Sequence, residues 1–414
     1  MGEMGAQGGR GRPTEWGRYR SVYCAFDIFP APKGSSTHMA LMLQALEQAL
    51  PPVLCLCLGT PAHPRLQVES PFLTIRRWTP PRAHLLERTR GFGRFVESVL
   101  ASLPAPPELL VFRDPWSGIP AMAALPSTPA LFEVNGLPSW ELPYAYRALE
   151  RHGPLLEKLR DMEWSCIQGA QGLITVSPVT RRALVGLGAP RERVAVVPNG
   201  ALEPFFEAGP PPSLKGRRLL YVGSLQPWQG VETAVEALAL LDRRTTLTII
   251  HPGKRRWLKG LKRLARRRGV QERVEFREGL SREEVAREMA RSRALLAPLA
   301  PVDRNTLQGC CPLKVVEAMA VGVVVAASDL EVCRGLLDPG EEGLLLPPDD
   351  PRAWAHGLAE LLGRPEEAHR MGLRARERAL RRHHPGVIVQ ELKGLFRRAA
   401  QGRWPREDPY APSE

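Results

Sequence analysis

The chain has 414 residues, 43% hydrophobic and 24% charged, with 57 Lys and Arg against 44 Asp and Glu for a net charge of +13. That length exceeds one ordinary core and predicts two domains of about 200 residues each. No apolar run nears the roughly 18 residues that cross a bilayer, and seven cysteines, an odd number set mostly in apolar stretches, read as reduced thiols rather than a disulfide scaffold. Of the 57 basic residues 49 are Arg, a bias genome composition can produce, and no single-strand module or helical DNA reader is visible, so no nucleic-acid partner is expected.

Residues 1–18 read as a disordered polar tail without a secretory signal, and 19–206 as a first Rossmann-like domain. Ser21 to Phe26 is expected as a buried strand. A Pro- and Gly-rich loop then leads to Ser35, Ser36 and Thr37, any of which can cap a helix running to about Leu50. Gly34 and His38 occupy that strand-to-helix junction. Further strands are expected over 53–58, 72–76, 109–112, 130–134, 172–175 and 193–197, with helices between most of them. Such alternation predicts a doubly wound parallel sheet, whose ligands bind outside the carboxyl ends of the strands. Asp114 follows the strand ending at Phe112, and Glu133 and Asn135 close the strand from Ala130, so all three are expected at that edge. They read either as turn formers or as residues that meet a ligand bound at that edge.

A Pro-rich linker is expected over 207–216, and a second alternating domain over 217–382, with strands over 219–222, 246–250, 274–276 and 294–297. Between Lys254 and Arg268 nine of fifteen residues are basic, while Leu258, Leu261 and Ala265 recur at helical spacing. The plain reading is a helix with a solvated basic face; the functional ones are peripheral contact with an anionic membrane surface, a phosphorylated substrate and, last, nucleic acid. Next, Gly309-Cys310-Cys311-Pro312 is expected to turn the chain into a helix from about Leu313 to Val321, stopped by a left-handed Gly322 before a strand from Val323 to Ala327. Amides near Leu313, Lys314 and Val315 would then face the sheet mouth and seat a diphosphate. Glu317, one turn in, can accept from two ribose hydroxyls or merely pair with Lys314. Lys314 and Arg304 are the candidate phosphate cations, though Arg304 can instead pair with Asp303. Asp350 is expected to cap a helix beginning at Pro351, with helices over 366–382 and 387–400 and a disordered tail over 404–414.

The ordered segments RVAVVPNGALEPFF (193–206), LLYVGSLQPWQGVETAVEAL (219–238), RVEFREGLSREEVAREMA (273–290), PLKVVEAMA (312–320), VVVAASDLEVCRGLL (323–337) and GEEGLLLPPDDP (340–351) resemble glycosyltransferase family 4 (group 1). That resemblance implies an α/β protein of GT-B architecture, two doubly wound parallel-sheet domains with a cleft between them. It implies a nucleotide-diphosphate sugar on the second domain, an acceptor entering from the first, retained anomeric configuration, and a last helix, 383–403, returning to the first domain. The family's pair of acidic residues eight apart falls on Gly309 and Glu317. Its Arg and Lys on the loop after the second domain's first strand, beside Gly223, fall on Ser224 and Gln229, and its His near the first-domain edge falls on Asn135. No Asp-x-Asp follows a strand, so no metal or other cofactor is expected. The expectation is a cytoplasmic, metal-independent glycosyltransferase, peripheral at the inner membrane face only under the functional reading of 254–268; the alternative is a degenerate GT-B protein that binds nucleotide sugar or glycan without turnover.

Overall fold

A computed structural model describes residues 18–31, 34–80, 84–146, 149, 152–210, 216–252 and 255–404. Lys254, residues 211–215 of the expected linker and most of both expected tails lie outside these residues.

The first sheet holds β1 (Ser21–Ile28), β2 (Val53–Leu58), β3 (Leu66–Ser70), β4 (Leu73–Trp78), β5 (Leu109–Phe112), β6 (Ala130–Val134), β7 (Gly172–Thr175) and β8 (Val194–Val196). Their order is β3-β4-β2-β1-β5-β6-β7-β8, parallel except where β3 runs antiparallel to β4. Central strands such as β2 and β5 are buried along their whole length, which is why they read as unbroken apolar runs. β3 escapes a sequence reading because LQVES lies at the sheet's edge, where burial imposes little alternation.

The second sheet comprises β9 (Arg218–Val222), β10 (Thr246–His251), β11 (Val274–Glu278), β12 (Ala294–Ala297), β13 (Val325–Ser328) and β14 (Gly343–Leu346), ordered β11-β10-β9-β12-β13-β14 and parallel throughout. Both sheets reverse their winding at the first strand, β1 against β5 and β9 against β12. Crevices open at such points. β13 starts two residues later than its sequence suggests, because the Val323 amide bonds to Ala318 O and closes the helix Leu313–Val321 together with left-handed Gly322.

The basic helix Arg255–Arg267 buries Leu261, Leu264 and Ala265 in the core of the second sheet, with Leu258 packed alongside, and exposes Lys259, Lys262, Arg263, Arg266 and Arg267. The last helix, Pro385–Ala400, contributes Ile388, Leu392 and Phe396 to the core of the first sheet. Near its start, His383 O accepts from the Ala201 amide at 3.0 Å and His383 Nδ1 lies 2.8 Å from Asn199 O. Among the described residues no helix is long and apolar enough to cross a membrane.

Candidate active site

A cavity of about 660 Å3 lies between the carboxyl edges of the two sheets, walled by the loops after β9, β10, β11 and β12 and by the start of the helix Gly34–Ala49. Gly223, Ser224, Gln229, Arg304, Leu313, Lys314, Glu317 and Gly34 all line it. Val315 does not: its side chain is fully buried and its amide bonds to Pro312 O at 2.9 Å, so it cannot seat a diphosphate. The amides of Leu313 and Lys314 begin the helix, where a donor has no intrahelical acceptor.

Lys314 and Glu317 are both buried on this wall. Lys314 Nζ donates to Tyr221 Oη at 3.1 Å and to Gln229 Oε1, and stands 4.1 Å from the centre of the Tyr221 ring. The lysine therefore reaches position 229, where the resemblance places a lysine of its own. Gly223 makes this approach possible, since a Cβ there would come within 3.2 Å of Lys314 Cε and Nζ. Burial draws the Lys314 ammonium down to about 7, partly offset by acidic neighbours that include Glu317. Burial also lifts the Glu317 carboxyl to about 7, against the pull of Arg282 and Lys314.

Arg304 does not pair with Asp303. Its Nη2 sits 3.1 Å from Glu141 Oε1 in the opposite domain, its guanidinium lies 5.8 Å from the Trp228 ring centre, and only a sixth of its side chain is exposed, at 15%. Gln308 bridges the same gap, accepting from the Leu137 amide and donating to Glu141 Oε1, each at 3.2 Å. A single π-type turn, Arg304–Gln308, presents both side chains to the first domain. Gly309 follows with φ 80° and ψ 170°, a region open almost only to glycine. A Cβ at Gly309 would meet Val179 Cβ at 2.7 Å and Thr180 N at 2.8 Å.

On the first-domain edge the expected residues separate. Asp114 caps the helix Pro115–Ala124, accepting from the Ser117 amide at 2.9 Å and the Phe26 amide at 2.6 Å. Both oxygens are thus occupied by backbone, and burial raises its carboxyl to about 6. Glu133 instead anchors a buried cluster: Tyr23 Oη donates at 2.6 Å, Arg113 Nη1 at 2.7 Å and Asn135 Nδ2 also donates, while His38 Nδ1 lies 2.7 Å away. Burial alone would raise Glu133, but Arg113, His38 and these hydrogen bonds prevail and hold it at about 2. Glu133, Asn135, His38 and Asp114 are not among the residues lining the cavity.

Sequence reasoning missed Tyr23, Arg113, Tyr221, Glu141 and Arg282. Tyr221 and Tyr23 hide in apolar strands where an aromatic reads as core, while Glu141 and Arg282 sit in ordinary polar helix starts. Among the described residues no group of three His, Cys, Asp or Glu side chains could hold a metal ion.

Two family profiles together take in most of the chain: "Glycosyl transferase 4-like domain" over 33–200 and "Glycosyl transferases group 1" over 206–378. The chain belongs to the group 1, family 4 glycosyltransferases. The chain is 28% identical over 275 residues to a D-inositol 3-phosphate glycosyltransferase of Kineococcus radiotolerans, across 58% of the chain and 60% of that protein. Matches to two other curated relatives take in only 23% and 49% of their lengths, so the chain spans less than two thirds of each. Among solved structures it resembles sucrose-phosphate synthase from Thermosynechococcus elongatus (TM-score 0.76, 20% identity, 92% of this chain and 100% of that one). It also resembles Anabaena HepE in complex with UDP and glucose (TM-score 0.70, 15% identity, 91% and 99%). At these identities the two structures establish the GT-B fold.

Proposed function

We propose that this glycosyltransferase moves a sugar from a nucleotide-diphosphate donor to an acceptor hydroxyl with retained configuration and without a metal ion. One observation supports the reading: Lys314 and Glu317, one turn apart at a helix start, bring a cation to position 229 and a carboxyl to the same cleft wall. Glu317 accepts from the ribose hydroxyls. The amides of Leu313 and Lys314 and the Lys314 ammonium face the diphosphate, where preorganised positive charge lowers the barrier to its departure. The bond from the anomeric carbon to the phosphate oxygen breaks with its electron pair leaving on the diphosphate. The acceptor oxygen bonds to that carbon on the same face, and its proton passes to the leaving phosphate.

The test is release of free nucleoside diphosphate from UDP-, GDP- and ADP-sugars with and without an acceptor panel that includes inositol phosphates, the acceptor in the names of two relatives. Acceptor-dependent release with an unchanged anomeric signal by NMR is expected. Donor binding without release over the panel would point to the non-transferring alternative, and an inverted product would end the retaining reading. The exposed cations of the helix Arg255–Arg267 further suggest peripheral attachment to anionic membranes, checked by sedimentation with phosphatidylserine vesicles at low and high salt.

A further inference from the structure

Among the described residues three long cationic side chains line the cavity, Arg282, Arg304 and Lys314. Arg304 is compensated by Glu141 and held at the domain seam. Lys314 is only partly charged near neutral pH. Arg282 keeps its charge at any working pH. Its backbone is fixed at the first position of the helix Arg282–Ala290 by a capping box, in which Ser281 Oγ accepts from the Glu284 amide at 3.2 Å and Glu284 Oε2 from the Ser281 amide at 2.7 Å. From there the half-buried side chain points into the cavity toward Glu317 and donates, through Nη1, to Thr37 Oγ1 on the first domain. Thr37 is buried and also lines the cavity. A permanent cation here donates to a neutral hydroxyl, a weaker partner than an anion, with Glu317 and Glu283 as its acidic neighbours, in a site whose positions 224 and 229 carry no charge of their own.

We infer that Arg282 is the fixed-charge clamp for the donor's diphosphate and exchanges Thr37 for a phosphate oxygen when the donor binds. The inference rests on the proposed donor site. It moves the principal cation from the loop after β9 to the start of a helix that meets the first domain, so the same guanidinium senses both the opposing domain and the diphosphate.

The experiment is calorimetric titration of the full chain with UDP, GDP and ADP and with uridine, guanosine and adenosine, comparing wild type with Arg282→Gln, Arg282→Lys and Thr37→Val. Loss of a charge-assisted bond predicts diphosphate binding weakened about 10- to 150-fold in Arg282→Gln. Nucleoside binding should be unchanged, Arg282→Lys should fall between, and the salt dependence of diphosphate binding should flatten. Thr37→Val should leave diphosphate binding at least as tight as wild type, because it removes only the resting partner. Wild-type affinity for the diphosphate in Arg282→Gln would overturn this inference alone. So would equal losses for nucleoside and diphosphate, or a Thr37→Val variant that mimics Arg282→Gln, either of which marks a structural tie. If wild type binds none of the three diphosphates, both the clamp and the donor site fall.

Discussion

Replacing Gly309 by Glu would restore the acidic pair of the family at positions 309 and 317, and the structure predicts that it fails. A side chain at φ 80° and ψ 170° costs about 1–3 kcal/mol in backbone strain alone. The new Cβ would also lie 2.7 Å from Val179 Cβ and 2.8 Å from Thr180 N, an overlap that overpacked sites relieve at about 1–3 kcal/mol. Val179 and Thr180 belong to the first domain and Gly309 to the second, so the collision can be eased by parting the domains but the strain cannot. Gly309→Ala carries the same two costs without the charge and is the control. Both variants should lose about 2–6 kcal/mol when the domains stay closed, read by urea denaturation, or show a larger radius of gyration by small-angle scattering with a smaller loss. A Gly309→Glu enzyme with wild-type stability, wild-type dimensions and higher turnover would refute the reasoning.

Lys314→Met should weaken binding of a nucleoside diphosphate about 10- to 150-fold and spare the nucleoside, whereas Glu317→Ala should weaken both; calorimetry with UDP and uridine separates them. Because the Lys314 ammonium stands at about 7 when the site is empty and gains an anion on binding, wild-type affinity should fall as pH rises above 7, and a flat profile would contradict the assignment. Stability runs the other way: the folded value lies below the unfolded one, so the unfolded chain holds more protons between pH 7 and about 10.5 and this group's contribution rises across that window. Glu133→Gln should cost about 3–5 kcal/mol at neutral pH by leaving Arg113 and His38 without their carboxylate. Since Glu133 is depressed to about 2, its contribution is present above about pH 4.5 and is lost as pH falls through 2, so the gap in urea stability should narrow over that range. Transfer with an identified donor should survive excess EDTA; loss restored by manganese or magnesium would exclude the metal-free mechanism.

Most parallel strands were legible because they are buried and apolar along their length, unlike the edge strand β3, and the helix Leu313–Val321 because Pro312 and Gly322 bracket it. Glu317 and Lys314 could be placed on the cleft for the same reason. Side-chain direction was not legible. Arg304 and Asp303 are sequence neighbours, yet the π-type turn sends Arg304 to Glu141, more than 160 positions away in the chain. Asp114 looked like a polar residue awaiting a substrate, because the Phe26 amide that occupies it comes from another strand. Arg282 carried no signal at all: what makes it notable is Thr37 across the cleft, a pairing created by tertiary structure alone.

The last helix belongs to the core of the first sheet, so the second domain is topologically an insertion and the polypeptide passes between the halves twice. The outgoing pass follows Asn199 and Ala201, and the returning one enters at His383, which is bonded to both of them. Two threads tied at one place act as a spine. If the halves part when a donor binds, such a spine favours opening as a book does over sliding, and Arg282 and Thr37 should meet again without a search for register.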